Sequence, residues 1–237
     1  STLNANNCLM IPNTCDISNL TIDKHPILNK IPDNKIIIGV FDCTGHGVSG
    51  AFMSLIGYTL LNGLLTNRKK IMPHEILEDL NMSVISFLKQ YQNNVQDGMD
   101  ASLCVFDKET NELHFSGAHQ SLFYTQANKI HEIKGDKKHI GGVRGKGVFT
   151  SHAVQVNKES FFYLLSDGFQ DQFGGEEDKK YGKKRLKKLF LENHLLPSEQ
   201  QHKVYDDAIE SWRQNHTIVN KQIDDILVMG FKLGDTK

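Results

Sequence analysis

The order of elements in this chain predicts an α+β fold, with antiparallel sheet packed on antiparallel sheet and helices outside. Two observations predict it. Apolar patterning runs as one strand, two helices, several strands, two helices and a last strand. The middle strands are joined by short turn-like connections, which suit antiparallel neighbours and not a doubly wound parallel sheet.

Residues 1–34 are polar and punctuated by Pro12, Pro26 and Pro32, and read as an irregular lead-in with a short strand or helical turn at most. Residues 35–42 crowd β-branched side chains and predict a buried strand. Gly45 and Gly47 then permit a tight turn. Phe52, Leu55, Ile56, Leu60 and Leu64 recur at helical spacing and predict a helix over 48–65. Pro73 opens a second helix where its missing N–H costs nothing, and the apolar series from Ile76 to Leu88 carries it to about Tyr91.

Strands follow at 101–106, 113–116 and 121–125, with a hairpin connection over 107–111 and a turn at Gly117-Ala118. A loop rich in Gly and Lys spans 134–147, before strands near 149–156 and 160–166. Helices are expected over 183–192 and 198–214, and a last strand over 223–233. The expected organisation is one domain, 35–237, behind the lead-in.

Composition excludes several classes. With 39% hydrophobic and 23% charged residues in 237, the chain can bury a globular core. A net charge of −1 gives no nucleic-acid footprint, and the one cationic run, Lys179 to Lys188, reads as a solvated helix start. Cys8, Cys15, Cys43 and Cys104 show no C-x-x-C spacing, which argues against a zinc site or disulfide framework and fits a reducing compartment. No apolar stretch reaches the ~20 residues of a membrane span, and no signal-peptide pattern opens the chain. The chain starts at Ser1 without Met, an opening compatible with a processed fragment or a piece of a longer protein, which leaves room for an anchor or sensor domain outside it.

Three aspartates stand where strand-like runs meet turns. Asp42 opens DCTGHGVSGA, Asp167 opens DGFQDQFGG, and Asp224-Asp225 precede Ile226 to Met229. A carboxylate at the end of a buried strand needs a partner. Taken singly, each is also an ordinary turn former. Taken together they predict an all-oxygen site for hard divalent cations, the chemistry of metal-assisted hydrolysis. The Cys43 carbonyl could add a backbone oxygen, with its thiol a small core side chain, and His46 in its Gly-rich turn reads as structural.

In order, DCTGHGVSGAFM, DGMDASLCVFD, FSGAHQSLFY, LLSDGFQDQFGG and QIDDILVMG resemble the PPM-type metal-dependent serine/threonine phosphatases, in their bacterial SpoIIE-like branch. The resemblance covers about Ile36 to Leu233. It implies a four-layer α/β/β/α sandwich of two antiparallel sheets flanked by helix pairs, with two Mn²⁺ or Mg²⁺ ions. It also implies hydrolysis of phosphoserine or phosphothreonine in a protein partner by a metal-bridged hydroxide. Residue by residue, Asp42 matches the metal-bridging aspartate and Cys43 the residue whose carbonyl reaches the second ion. Asp167 and Asp224 match the carboxylates of the first ion. Asp97 and Asp100, in DGMDAS, match the position of an acid that holds a further ion in some relatives; a turn and a solvent-facing acid are equally good readings.

One departure stands out. The family's early Gly-Asp motif, which helps hold the second ion, has no counterpart before Ile36. Asp16 and Asp23 are the candidates to replace it. Arg144 is the nearest approach to a phosphate-clamping arginine. The leading function is therefore a phosphatase in bacterial signalling or partner switching, its substrate a phosphoprotein such as an anti-sigma-factor antagonist. Upstream sensor control, dimerisation, and a place in the cytoplasm or on the cytosolic side of an anchored protein accompany that expectation. The missing motif favours a second reading, a metal-poor pseudophosphatase that binds a partner without turnover. A metal-dependent nuclease fits poorly, given the neutral charge and the absence of an aromatic-basic pattern.

Overall fold

The computed structural model describes residues 32, 34–45, 47–67, 71–143, 147–214 and 220–233. The lead-in expected over 1–34 lies outside the described residues apart from Pro32 and Asn34, as do Asp16, Asp23, His46 and Arg144. The described chain divides into two compact units, the first holding 32–121 and 133–156, the second 122–132 and 157–233.

The first unit is built on an antiparallel sheet of order β1-β2-β3-β6, comprising Lys35–Cys43, Met99–Asp107, Glu112–Ala118 and His152–Gln155. The hairpin expected over 107–111 forms, with Asn111 in left-handed backbone and the Glu109 N–H donating to Asp107 Oδ1. Along β2, Ala101, Leu103 and Val105 alternate onto one face and join the core made by two helices. These are α1 (Gly47–Asn67) and α2 (Pro73–Phe87). From α2, Ile76, Leu77, Leu80 and Val84 are fully withdrawn from solvent.

The spacing of α1 is as expected, and its buried face is so in part: Ile56, Leu60 and Leu64 pack half-buried against the core. Met53, Leu61 and Leu65 enter the core, while Phe52 and Leu55 are 61% and 60% exposed. Apolar residues surround this helix, so periodicity alone does not select the inward side. Gly57 does: a Cβ there would lie 2.6 Å from Met99 Cε, so the helix meets β2 through its glycine. By length and composition Val48–Thr66 also suffices for a membrane span, which corrects the expectation that no such stretch exists. In this fold the helix contributes its inner face to a packed core. The second helix ends earlier than Tyr91. Lys89 takes a left-handed backbone, and the Gln90 N–H reaches back to the Ile85 carbonyl, a closure that stops the helix.

The second unit holds a sheet of order β10-β7-β4-β5, with β4 Leu122–Gln126, β5 Lys129–Ile133, β7 Phe161–Leu165 and β10 Val228–Lys232. Its helices are α3 (Gly168–Asp171), α4 (Gly182–Asn193) and α5 (Ser198–Arg213). Tyr163 of β7 stacks on Phe190 of α4 at 4.0 Å, and its hydroxyl lies 3.2 Å from Gln201 and 3.1 Å from Tyr205 of α5. Burial makes the aromatic faces the main cohesive contact here, and the hydroxyls satisfy one another inside it. The last strand is shorter than 223–233, because 223–227 approach it as irregular chain. The cationic run is also split: Lys179–Lys180 form β9, which pairs with β8 (Phe173–Gly174), before α4 begins.

Candidate metal centre

In the first unit, Asp42 lies on the last turn-ward stretch of β1, directly opposite Asp100 on β2. Paired antiparallel residues share a face, and like charges placed there repel. The strand register continues past them: Cys43 faces Met99, and Thr44 clamps Gly98. The Thr44 N–H donates to the Gly98 carbonyl at 2.9 Å, and the Gly98 N–H donates to Thr44 Oγ1 at 2.8 Å. The turn after Asp42 is thus fixed by the same pairing that fixes Asp100. Both aspartates are half-buried. Cys43 is a free thiol that burial pushes up in pKa; a hydrogen bond with Ser54 opposes this and the Asp42 charge adds to it. A protonated thiol is a poor ligand.

The chain entering β2 is held tightly. A Cβ on Gly98 would lie 2.0 Å from the Ile140 carbonyl oxygen, so only glycine fits. Buried Gln90 donates from Nε2 to the Asp97 carbonyl at 2.6 Å and accepts the Gly142 N–H at 2.7 Å. Asp97 itself is exposed. Of the two acids in DGMDAS, only Asp100 falls in a group of converging ligand-type side chains, with His119 and His139. His139 Nδ1 and Asp100 Oδ1 are in hydrogen-bonding contact, and the two imidazoles stack with centroids 3.9 Å apart. Burial lowers the pKa of His119; Asp100 opposes this, and His139 and Lys137 reinforce it. Neither histidine was singled out by sequence. They lie far from Asp100 along the chain, and only the backbone bridges Ala101↔His119 and Met99↔Ile140 bring them beside it.

In the second unit, Asp167 follows β7 and caps α3, its carbonyl accepting the Asp171 N–H at 3.0 Å. Asp224 lies on the irregular approach to β10 and accepts the Asp225 N–H through Oδ1. Ser166 stitches the two segments together. Its hydroxyl donates to the Asp225 carbonyl at 2.8 Å and accepts the Leu227 N–H at 3.0 Å, while its own N–H donates to the Leu227 carbonyl at 3.1 Å. Gly168 completes the approach: a Cβ there would lie 2.4 Å from the Asp225 carbonyl oxygen. The Asp167 turn and the Asp224-Asp225 pair are therefore held side by side, with all three acids exposed.

These donors fit hard divalent ions on chemical grounds. Asp42, Asp167 and Asp224 offer oxygen only, and in each unit acids stand beside acids, an arrangement that a cation relieves.

A family model described as stage II sporulation protein E (SpoIIE) matches residues 32–233. Among solved structures, the SiaA-PP2C domain of Pseudomonas aeruginosa is similar at 28% identity and a TM-score of 0.76, over 86% of this chain and 78% of that one. The PP2C phosphatase domain of the cell fate determinant SpoIIE from Bacillus subtilis, solved with a fragment of its regulatory domain, is 15% identical with a TM-score of 0.62. That match covers 82% of this chain and 52% of that one. The RsbU and RsbW domains of Rv1364c from Mycobacterium tuberculosis match at 15% identity and a TM-score of 0.62, over 83% and 51% of the two chains. The two matches at 15% identity speak for fold. No protein of curated function matches the sequence. The two antiparallel sheets with their helices have the α+β PPM fold.

Proposed function

Since the chain belongs to the SpoIIE family and has a PP2C phosphatase fold, we propose that it is a metal-dependent phosphatase acting on phosphoserine or phosphothreonine in a protein partner. The observation that carries this reading is the Ser166 stitch, which holds the Asp167 turn against the Asp224-Asp225 pair. Asp42, the Cys43 carbonyl, Asp167 and Asp224 are the proposed ligands of Mn²⁺ or Mg²⁺, in the roles the sequence resemblance gives them. When bound, such ions lower the pKa of a coordinated water and neutralise charge on phosphoryl oxygens. The chain's own part is to hold oxygen donors in place, Asp42 by strand register within the first unit and Asp167 and Asp224 by the Ser166 stitch within the second. Asp97, Asp100 and Asp16 remain proposals as further ligands, and the number of ions, one or two, is part of what the test decides.

The partner is proposed to be a phosphoprotein of a partner-switching pathway, such as an anti-sigma-factor antagonist. A similar structure that joins an RsbU domain to an RsbW domain supports this. Control by an upstream sensor, dimerisation and action at the cytoplasmic side of the cell belong to the same proposal.

A metal-poor pseudophosphatase is the second reading, favoured by the absence of a Gly-Asp motif before Ile36. Assaying the purified protein on a generic phosphoester and a phosphoserine peptide, with Mn²⁺ and after chelation, separates the two. Mn²⁺-dependent release of phosphate supports the enzyme. A folded protein that releases none under any metal supports the pseudophosphatase.

A further inference from the structure

We infer that Asp100, His119 and His139 form a second kind of metal site, one that takes a borderline divalent cation such as Zn²⁺ or Co²⁺ through two imidazole nitrogens and a carboxylate. Asp100 is also among the acids that the resemblance offers for a further ion; the two imidazoles are what set this site's chemistry apart from the all-oxygen set.

The backbone builds the site. Met99 and Ile140 exchange N–H···O bonds in both directions at 2.9 Å, which places His139 beside Asp100. On the other side, the Ala101↔His119 bridge places His119 beside Asp100. His119 is held in turn, its N–H donating to the Asp136 carbonyl at 2.8 Å, while the Asp136 N–H donates to the Gly117 carbonyl at 2.8 Å. Three chain segments thus converge on one carboxylate through main-chain bonds, so the side chains start close together without needing to find one another.

The ligating atoms of Asp100, His119 and His139 all lie within 4.8 Å of one another. Around a tetrahedral ion with bonds of about 2.05 Å, ligand atoms sit roughly 3.3 Å apart. His139 has 56% of its side chain exposed, so a rotation about its own torsions can close the difference. Its exposed flank leaves room for water or an exogenous ligand to complete the shell. Imidazole donors favour Zn²⁺, Co²⁺ and their neighbours over Mg²⁺, which prefers oxygen and retains its water. Two further His–acid pairs, His114–Glu112 at 3.4 Å and His202–Asp206 at 3.3 Å, offer two ligands each and serve as internal controls for surface binding.

The test is Co²⁺ titration of the whole chain in excess Mg²⁺, followed by visible ligand-field absorption and by Zn²⁺ displacement. One tight equivalent of Co²⁺, with a nitrogen/oxygen spectrum and complete displacement by Zn²⁺, is expected. His139→Ala, at an exposed position, should weaken binding at least ~10-fold. His119→Asn serves as the second variant, because His119 has φ +60 and Asn tolerates that backbone, so the fold is kept while the imidazole is lost. Circular dichroism checks both. Unchanged affinity in the two variants, or equal competition by Mg²⁺, overturns the site.

Discussion

Gly168 shows how narrowly a single residue can be specified. It follows Asp167, and the nearest atom to its missing Cβ is the Asp225 carbonyl oxygen at 2.4 Å, part of a backbone that cannot swing aside. Gly168→Ala must therefore push the Asp167 turn away from the Asp224-Asp225 pair. Overpacking of this kind costs about 1–3 kcal/mol. Thermal denaturation should show a fall of about 2–10 °C at this chain length. An unchanged melting temperature would mean that the two segments are not held as described. The sequence made Asp167 and Asp224 legible, since each stands at the end of an apolar run beside a glycine or a second acid. It left His119 and His139 unmarked, because what unites them with Asp100 is backbone bridging between distant segments, which leaves no local pattern. Asp100 was legible only as one of two acids, and the structure separates it from the exposed Asp97.

Among the elements, β5 and α4 are joined by a charge cluster that gives a pH signature. Glu132 is almost enclosed, and Lys183 and Lys187 approach its carboxylate at 3.0 and 2.7 Å. Burial alone would raise its pKa, but the hydrogen bonds from Lys187 and Lys183 outweigh burial and bring it to about 2. A depressed carboxylate stabilises the fold above its unfolded pKa of roughly 4.3. That contribution is lost as pH falls from there through about 2. Glu132→Gln should consequently lower stability at neutral pH and flatten the acid limb of a urea-midpoint profile below pH ~4.5. Parallel profiles for the two proteins would contradict the assignment. β5 itself escaped sequence reading, since Lys129–Ile133 is short, has no fully buried residue and carries Lys129, His131 and Glu132 among its five. Its hairpin turn is made by Ala127 and Asn128, both in left-handed backbone, and Ala gives no sign of that. The long elements β1, α2, α4 and α5 were legible because burial imposes one period over many residues. In α1 the period was visible and the buried face only in part, for the glycine at its centre has no hydropathy to read.

At the scale of the whole molecule, the proposed metal binding would be linked to stability. An ion that binds only the folded chain stabilises it by RT ln(1 + [L]/Kd), about 2.7 kcal/mol at one hundred times Kd. Mn²⁺ should accordingly raise the melting temperature, and Asp167→Asn should remove most of the increment. An equal increment in wild type and variant would place the ion elsewhere. The central claim, that Asp42, Asp167 and Asp224 are the ligands of a hydrolytic metal centre, is met most directly by steady-state kinetics. Phosphate release from a phosphoserine peptide is followed against Mn²⁺ concentration for wild type, Asp42→Asn and Asp167→Asn. The account predicts Mn²⁺-dependent turnover in the wild type, with kcat/KM at least ~100-fold lower in each variant, a loss of about 2.7 kcal/mol of transition-state stabilisation. Turnover that survives either substitution, with its Mn²⁺ dependence unchanged, would contradict it.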